Sequence, residues 1–253
     1  MSDMLRYFGL VGYPLTHSFS KKYFNEKFRK EGITDCIYEN FPLAGIEEFR
    51  ELIERTDNLM GLNVTIPYKE KIIPYLDTLD PVALEIGAVN TVKVIRMQET
   101  IQLKGYNTDA FGFGESLKPY LPLHNSKALI LGTGGASKAV AYVLEKLGLK
   151  IVFVSRNPGT SNHITYPQLE KDLMKKVSII VNCSPLGMFP DTDKCPDIPY
   201  HNLGHDHLLY DLIYNPEKTK FLELGEKQGA VVVNGLKMLY LQAEEAWRIW
   251  NNI

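Results

Sequence analysis

Lys127-Ala128-Leu129-Ile130-Leu131-Gly132-Thr133-Gly134-Gly135-Ala136-Ser137 sets the architecture of this chain. The run Ala128 to Leu131 is wholly apolar and predicts a buried strand. Glycines then make a tight turn, and the spacing of apolar residues predicts a helix from Ser137 to Leu147. A second strand, Ile151 to Val154, completes a βαβ unit. At such a strand-to-helix turn, glycines let backbone amides close on a pyrophosphate at the helix N-terminus. Ser137 stands where the pattern G-x-G-x-x-G has its third glycine.

The end of the second strand bears on which dinucleotide fits. A site built for NAD offers a carboxylate to the ribose 2′-hydroxyl, but this strand ends Val154-Ser155-Arg156-Asn157. Arg156 presents a planar cation suited to a 2′-phosphate, flanked by the neutral hydrogen-bonding groups of Ser155 and Asn157. NADP is therefore the expected cofactor.

Working outward, strands are expected at Val177 to Val181, Leu208 to Leu212 and Ala230 to Val233, with a closing helix from Leu236 to Trp250. Upstream lie a strand at Tyr7 to Val11, a helix capped by Ser20 and ended by Gly32, and a strand at Cys36 to Phe41. A helix over Ala44 to Thr56 with Ile46, Phe49 and Ile53 on one face, and a strand from Leu59 to Thr65, follow. Val92 to Met97 and Ile101 to Tyr106 read as a hairpin added to that sheet. The chain is thus expected to be a two-domain α/β protein. One domain, 1–107 plus 234–253, holds a mixed, mostly parallel sheet, and a Rossmann-type dinucleotide-binding domain is inserted at 108–233.

At 253 residues and 45% hydrophobic, the chain is long and apolar enough for a real core, which excludes collagen-like and wholly disordered classes. Its 28 basic and 30 acidic side chains leave no cationic field for a phosphate backbone, so nucleic acid is not an expected partner. No stretch approaches a membrane span, and the first residues meet Tyr13-Pro14-Leu15-Thr16-His17-Ser18 too soon for a signal peptide. Cys36, Cys183 and Cys195 have no C-x-x-C spacing and read as reduced thiols, which places the protein in the cytoplasm.

Three polar clusters follow apolar strands of the first domain, where α/β proteins carry their ligands. In His17-Ser18-Phe19-Ser20 the two hydroxyls at i and i+2 can donate together to a carboxylate. In Asn63-Val64-Thr65-Ile66-Pro67-Tyr68-Lys69, Pro67 is expected to start a helix with Lys69 in its first turn, an electrostatically poor place for a cation and so a functional signal. Gly87-Ala88-Val89-Asn90-Thr91 and Gly105-Tyr106-Asn107-Thr108-Asp109 supply an amide and a carboxylate. A lysine paired with an aspartate in a cleft can move a proton to and from a substrate hydroxyl. Tyr200-His201-Asn202-Leu203-Gly204-His205-Asp206-His207 concentrates three histidines, but at no metal-ligand spacing, and no metal is expected.

In register, these motifs resemble the shikimate dehydrogenase family. The match includes His-Ser-x-Ser at 17–20, Asn-Val-Thr-x-Pro-x-Lys at 63–69, Gly-Ala-Val-Asn-Thr at 87–91, Gly-x-Asn-Thr-Asp at 105–109 and Gly-x-Gly-Gly-Ala at 132–136. It continues through Asn-Cys-Ser-Pro-Leu-Gly-Met at 182–188, Asp-Leu-Ile-Tyr at 211–214 and Gly-Leu-x-Met-Leu with a later Gln at 235–242, nearly the whole chain. The resemblance implies NADPH-dependent, reversible reduction of 3-dehydroshikimate to shikimate in aromatic amino-acid biosynthesis. It implies a small-molecule substrate and a monomer or homodimer. By position, Ser18, Ser20 and Tyr214 would meet the substrate carboxylate, and Thr65, Asn90 and Gln242 the ring hydroxyls. Lys69 and Asp109 would be the catalytic pair. Gly132, Gly134, Gly135, Ala136, Ser155, Arg156, Ser184, Gly235 and Met238 would bind the cofactor, with Gly235 against the nicotinamide. Lys21 replaces the proline common after His-Ser-x-Ser, Ser155-Arg156-Asn157 replaces a common Asn-Arg-Thr, and Ser184 replaces threonine. Alternatives on the same fold are a quinate/shikimate dehydrogenase of relaxed cofactor choice and a catalytically silent NADP- and shikimate-binding sensor.

Overall fold

A computed structural model describes residues 5–15, 19–98, 100–123, 126–156 and 162–252. The chain forms two compact units, Met1–Thr108 with Ala243–Ile253, and Asp109–Gln242. The sequence places the return to the first unit at residue 234; the division falls instead at 242–243, inside the closing helix.

The first unit runs β1 (Arg6–Gly12), α1 (Phe19–Glu31), β2 (Cys36–Pro42), α2 (Phe49–Arg55), β3 (Leu59–Val64), β4 (Thr78–Leu79), α3 (Pro81–Ile86), β5 (Thr91–Met97) and β6 (Thr100–Tyr106). Its six strands lie in the order β2-β1-β3-β5-β6-β4. β1 pairs parallel with β2 and β3, whereas β5 is antiparallel to both β3 and β6. In β1 the alternation is direct: Phe8 and Leu10 join a cluster with Phe24, Phe28, Tyr38 and Trp250, and Val11 joins one with Phe49, Leu52 and Leu62. The first cluster is aromatic. Phe24 stacks on Tyr38 at 4.7 Å, Phe8 lies 5.0 Å from Trp250, and the Trp250 indole donates to the Val92 carbonyl at 3.0 Å. Each such ring removed from water contributes about 1.5–3 kcal/mol.

Two local expectations are corrected. No helix starts at Pro67: residues 66–72 form turns, in which the Lys69 carbonyl accepts the Val89 N–H at 2.7 Å and the Ile73 N–H turns to the Glu70 carbonyl at 3.3 Å. Ser20 is the second residue of α1 rather than the cap ahead of it, and Ser18 lies outside the described residues. α3, capped by the Asp80 side chain with Pro81 at its first position, has no counterpart in the sequence reading.

The second unit contains α4 (Thr108–Leu117), β7 (Lys127–Leu131), α5 (Gly135–Lys146), β8 (Lys150–Val154), β9 (His163–Ile164), α6 (Lys171–Met174), β10 (Val177–Asn182), β11 (Leu208–Asp211), α7 (Lys220–Lys227), β12 (Val231–Val233) and α8 (Leu236–Asn251), which begins here and ends in the first unit. All strands are parallel, in the order β12-β11-β10-β7-β8-β9. Counted within this sheet, that is 6-5-4-1-2-3, the doubly wound dinucleotide-binding order, and it reverses direction at β7 and β10. Ala128 and Ile130 pack with Phe113, Val140 and Tyr210 on one face, and Leu129 and Leu131 with Phe221 and Leu222 on the other. Among the described residues no helix is long and apolar enough to cross a membrane.

Candidate functional site

In the first unit, strand direction alone gathers the polar clusters. β1 and β3 end where β5 begins and β6 ends, as the pairings Val11 with Val64, Asn63 with Thr91 and Thr91 with Tyr106 show. Residues 13–15, 65–72, 87–90 and 107–108 therefore crowd one end of the sheet. Backbone bonds lock them together: Thr65 N–H to the Val11 carbonyl at 2.9 Å, Tyr13 N–H to Ile66 at 3.1 Å, and Val89 N–H to Lys69 at 2.7 Å. Thr65, Lys69 and Asn90 are thus brought to one place, with Lys69 and Thr65 half-buried and Asn90 buried.

Beneath them lies a polar network that sequence reasoning missed. The Tyr38 hydroxyl donates to Asn63 Oδ1 at 2.8 Å, and Asn63 Nδ2 donates to Thr91 Oγ1 at 3.2 Å. Asn90 exchanges bonds with Thr108, Oδ1 accepting its N–H and Nδ2 donating to its hydroxyl at 3.0 Å. Ser20 hydrogen-bonds Tyr38, whose phenol burial holds far above its ordinary value. The signal was available: Asn63 is an amide inside an apolar strand, and a buried amide needs partners.

Asp109 lies buried in the first turn of α4, where a carboxylate suits the helix N-terminus. The favourable helix electrostatics therefore belong to Asp109, while Lys69 occupies a turn. Lys69 belongs to the first unit and Asp109 to the second.

In the second unit, the expected cofactor residues all follow strand C-terminal ends, the edge at which open α/β sheets bind ligands. Gly132 leaves β7 at φ +107°, a conformation that L side chains rarely adopt, and its Cα faces the Cys183–Ser184 peptide. Gly132 and Ser184 thus flank the point of strand reversal. Gly134 begins α5 without a side-chain cap and has open space above it. Ser137, in the third glycine position, is fully buried and turns its hydroxyl back to the Gly134 carbonyl at 2.6 Å. An uncapped helix start under an open glycine turn fits a pyrophosphate. Ser155 and Arg156 follow β8 directly, with Arg156 exposed; Asn157 lies outside the described residues. Tyr214 follows β11 on the exposed side, and partial burial raises its phenol above its ordinary value.

Two assignments acquire a different physical reason. A Cβ on Gly235 would sit 2.1 Å from the Leu212 carbonyl oxygen, so the fold itself requires glycine there. Ser184 donates its hydroxyl to Asn182 Oδ1 at 2.6 Å, so that oxygen shapes its own loop. Met238 packs in the core beside Phe113 and Tyr210, and Gln242 is buried on α8 with its amide on the Leu239 carbonyl. His207 is buried, one ring nitrogen at the Met174 carbonyl and the other at Gly204, which closes a turn. Among the described residues no three His, Cys, Asp or Glu side chains gather as a metal centre.

A family model described as the shikimate dehydrogenase substrate binding domain matches residues 10–92. Among curated proteins, the chain is 41% identical to the shikimate dehydrogenase (NADP(+)) of Syntrophomonas wolfei, covering 92% of this chain and 85% of that one. It is 39% identical to that of Halothermothrix orenii, covering 97% and 90%. Among solved structures it resembles shikimate 5-dehydrogenase from Thermus thermophilus in complex with NADP(H) and shikimate, at TM-score 0.83 and 30% identity over 98% of this chain and 94% of that one.

Proposed function

The chain belongs to the shikimate dehydrogenase family, and from that premise we propose that it reduces 3-dehydroshikimate to shikimate with NADPH, reversibly, in aromatic amino-acid biosynthesis. The observation that carries this reading is the placement of both sets of motif residues at the ligand-bearing ends of their sheets. NADPH, when bound, supplies the hydride. Gly132, Gly134, Gly135 and Ala136 would hold its pyrophosphate, Ser155 and Arg156 its 2′-phosphate, and Ser184, Gly235 and Met238 would border its nicotinamide.

Lys69 and Asp109 are the proposed catalytic pair. Reducing a ring ketone leaves negative charge on its oxygen, and a lysine ammonium there stabilises that charge and delivers the proton. Asp109, as the acidic member of the pair, would accept a hydrogen bond from a ring hydroxyl. Ser18, Ser20 and Tyr214 donate to the carboxylate, and Thr65, Asn90 and Gln242 bond the ring hydroxyls. The first unit chiefly serves the substrate and the second the cofactor. The protein acts as a monomer or homodimer in the cytoplasm, without nucleic acid, and its unbridged cysteines suit a reducing compartment.

The test is a steady-state assay of reduced nicotinamide formation from shikimate or quinate, each with NADP or NAD. Turnover of shikimate with NADP is expected to be the fastest combination. Equal rates with quinate would favour the broader dehydrogenase, and binding of NADPH and shikimate without turnover would favour a sensor.

A further inference from the structure

Asp211 is fully buried at the end of β11 and has no part in the proton transfer described above. Three donors converge on it. Oδ1 accepts from Asn182 Nδ2 at 3.1 Å and from the Ile213 N–H at 3.0 Å, and Oδ2 accepts the Thr219 hydroxyl at 2.6 Å. Each donor leads to a loop. Asn182 carries on its Oδ1 both the N–H and the hydroxyl of Ser184, at 3.1 and 2.6 Å. Ile213 precedes Tyr214 and takes the Gly235 N–H on its carbonyl at 3.0 Å. Thr219 caps α7, receiving the Leu222 N–H.

We propose that Asp211 is a positioning residue for the reaction: as a carboxylate, it holds in one arrangement the three loops that carry Ser184, Tyr214 and Gly235. This rests on the assignment of those residues to substrate and cofactor. The arrangement is built for the ionised form: Asn182 Nδ2 and the Ile213 N–H can only donate, and a protonated acid would have to reverse the bond from the Thr219 hydroxyl. Burial pushes its pKa up to about 6, against the pull of Thr219, Ile213 and Asn182, and no charged side chain contributes. The neighbouring titratable groups are Cys183 after β10, and Tyr200 in the turn before β11. Burial, helped by the negative charge of Asp211, pushes both upward, so neither ionises in this range.

The experiment compares the intact enzyme with Asp211→Asn and Thr219→Val from about pH 5 to about pH 8, reading KM for NADP and shikimate and NADPH affinity from its own fluorescence. The wild type should lose kcat/KM and NADPH affinity on the acid side with a midpoint near that of Asp211. Asp211→Asn should raise both KM values by about fivefold or more at neutral pH and lack that acid limb. Thr219→Val removes a donor to the carboxylate and should move the midpoint upward. Stability supplies an opposite sign. Because the folded pKa lies above the ordinary 3.8, this group's contribution to folding is present below that value and is lost as pH rises through about 6. Acidification should thus raise wild-type Tm relative to Asp211→Asn while activity falls. An unchanged acid limb in Asp211→Asn, or altered Tm with unaltered KM values, overturns the proposal. Should that variant fail to fold, an unmoved midpoint in Thr219→Val overturns it alone. Absent shikimate turnover in the wild type would strike the assigned reaction, while the NADPH affinity profiles would still decide the role of Asp211.

Discussion

Asn90 Oδ1 accepts the backbone N–H of Thr108 at 2.6 Å, which ties the residue ahead of β5 to the first residue of α4. The bond closes the base of the β5–β6 hairpin. It joins two sequence clusters that were singled out separately, and it fixes the peptide that leads into Asp109.

Lys69→Ala should lower kcat by about 10²–10⁴ while changing shikimate KM by much less, because the ammonium acts on charge that develops only during reduction. Steady-state kinetics in both directions checks this. Equal losses in kcat and affinity would assign Lys69 to binding instead.

Ser20→Ala should raise the shikimate KM and leave that for NADP unaltered, since a lost hydroxyl–carboxylate bond costs about 1.5–3 kcal/mol. The partner hydroxyl of Tyr38 remains in place beneath it. Unaltered shikimate KM would remove Ser20 from the carboxylate site.

Arg156→Ala should raise the NADPH KM and spare that for NADH, because a guanidinium at the end of β8 discriminates through the 2′-phosphate alone. Parallel titrations with both cofactors check this. A proportional loss with each would assign the arginine to the shared adenosine instead.

Trp250→Ala should destabilise the protein by about 3–5 kcal/mol in urea unfolding, since it opens a cavity in the aromatic cluster around Phe8, Phe24 and Tyr38 and removes the indole donor from the Val92 carbonyl. A loss under about 1 kcal/mol would show that the cluster closes without it.

Where periodicity was strong, the chain was legible. The apolar strand Ala128 to Leu131 and the hairpin Val92 to Tyr106 lie where their patterns place them, because alternation and apolar runs are local properties. α4 escaped because Gly112 and Gly114 argue against a helix. Gly112 is there for close packing, since a Cβ on it would lie 2.6 Å from the Met238 carbonyl, a contact between residues distant in sequence. The turn at Lys69 was equally illegible, since the Val89 N–H that its carbonyl accepts comes from 20 residues further along the chain. The motifs contain Asn63, Asn182 and Asp211 but gave them no role, and Tyr38 lay outside every motif, because their hydrogen bonds run to other protein groups and those partners are set by the fold.

The last helix has a consequence for how the chain is made. Ala243, Ala246 and Trp250 complete a core begun by Phe8 and Phe24, so β1 and α1 wait on a segment made more than 200 residues later. All strands of the inserted sheet lie within residues 127–233 and are synthesised before that helix is whole. The inserted sheet therefore has all its strands before the first unit has the helix that completes its aromatic core.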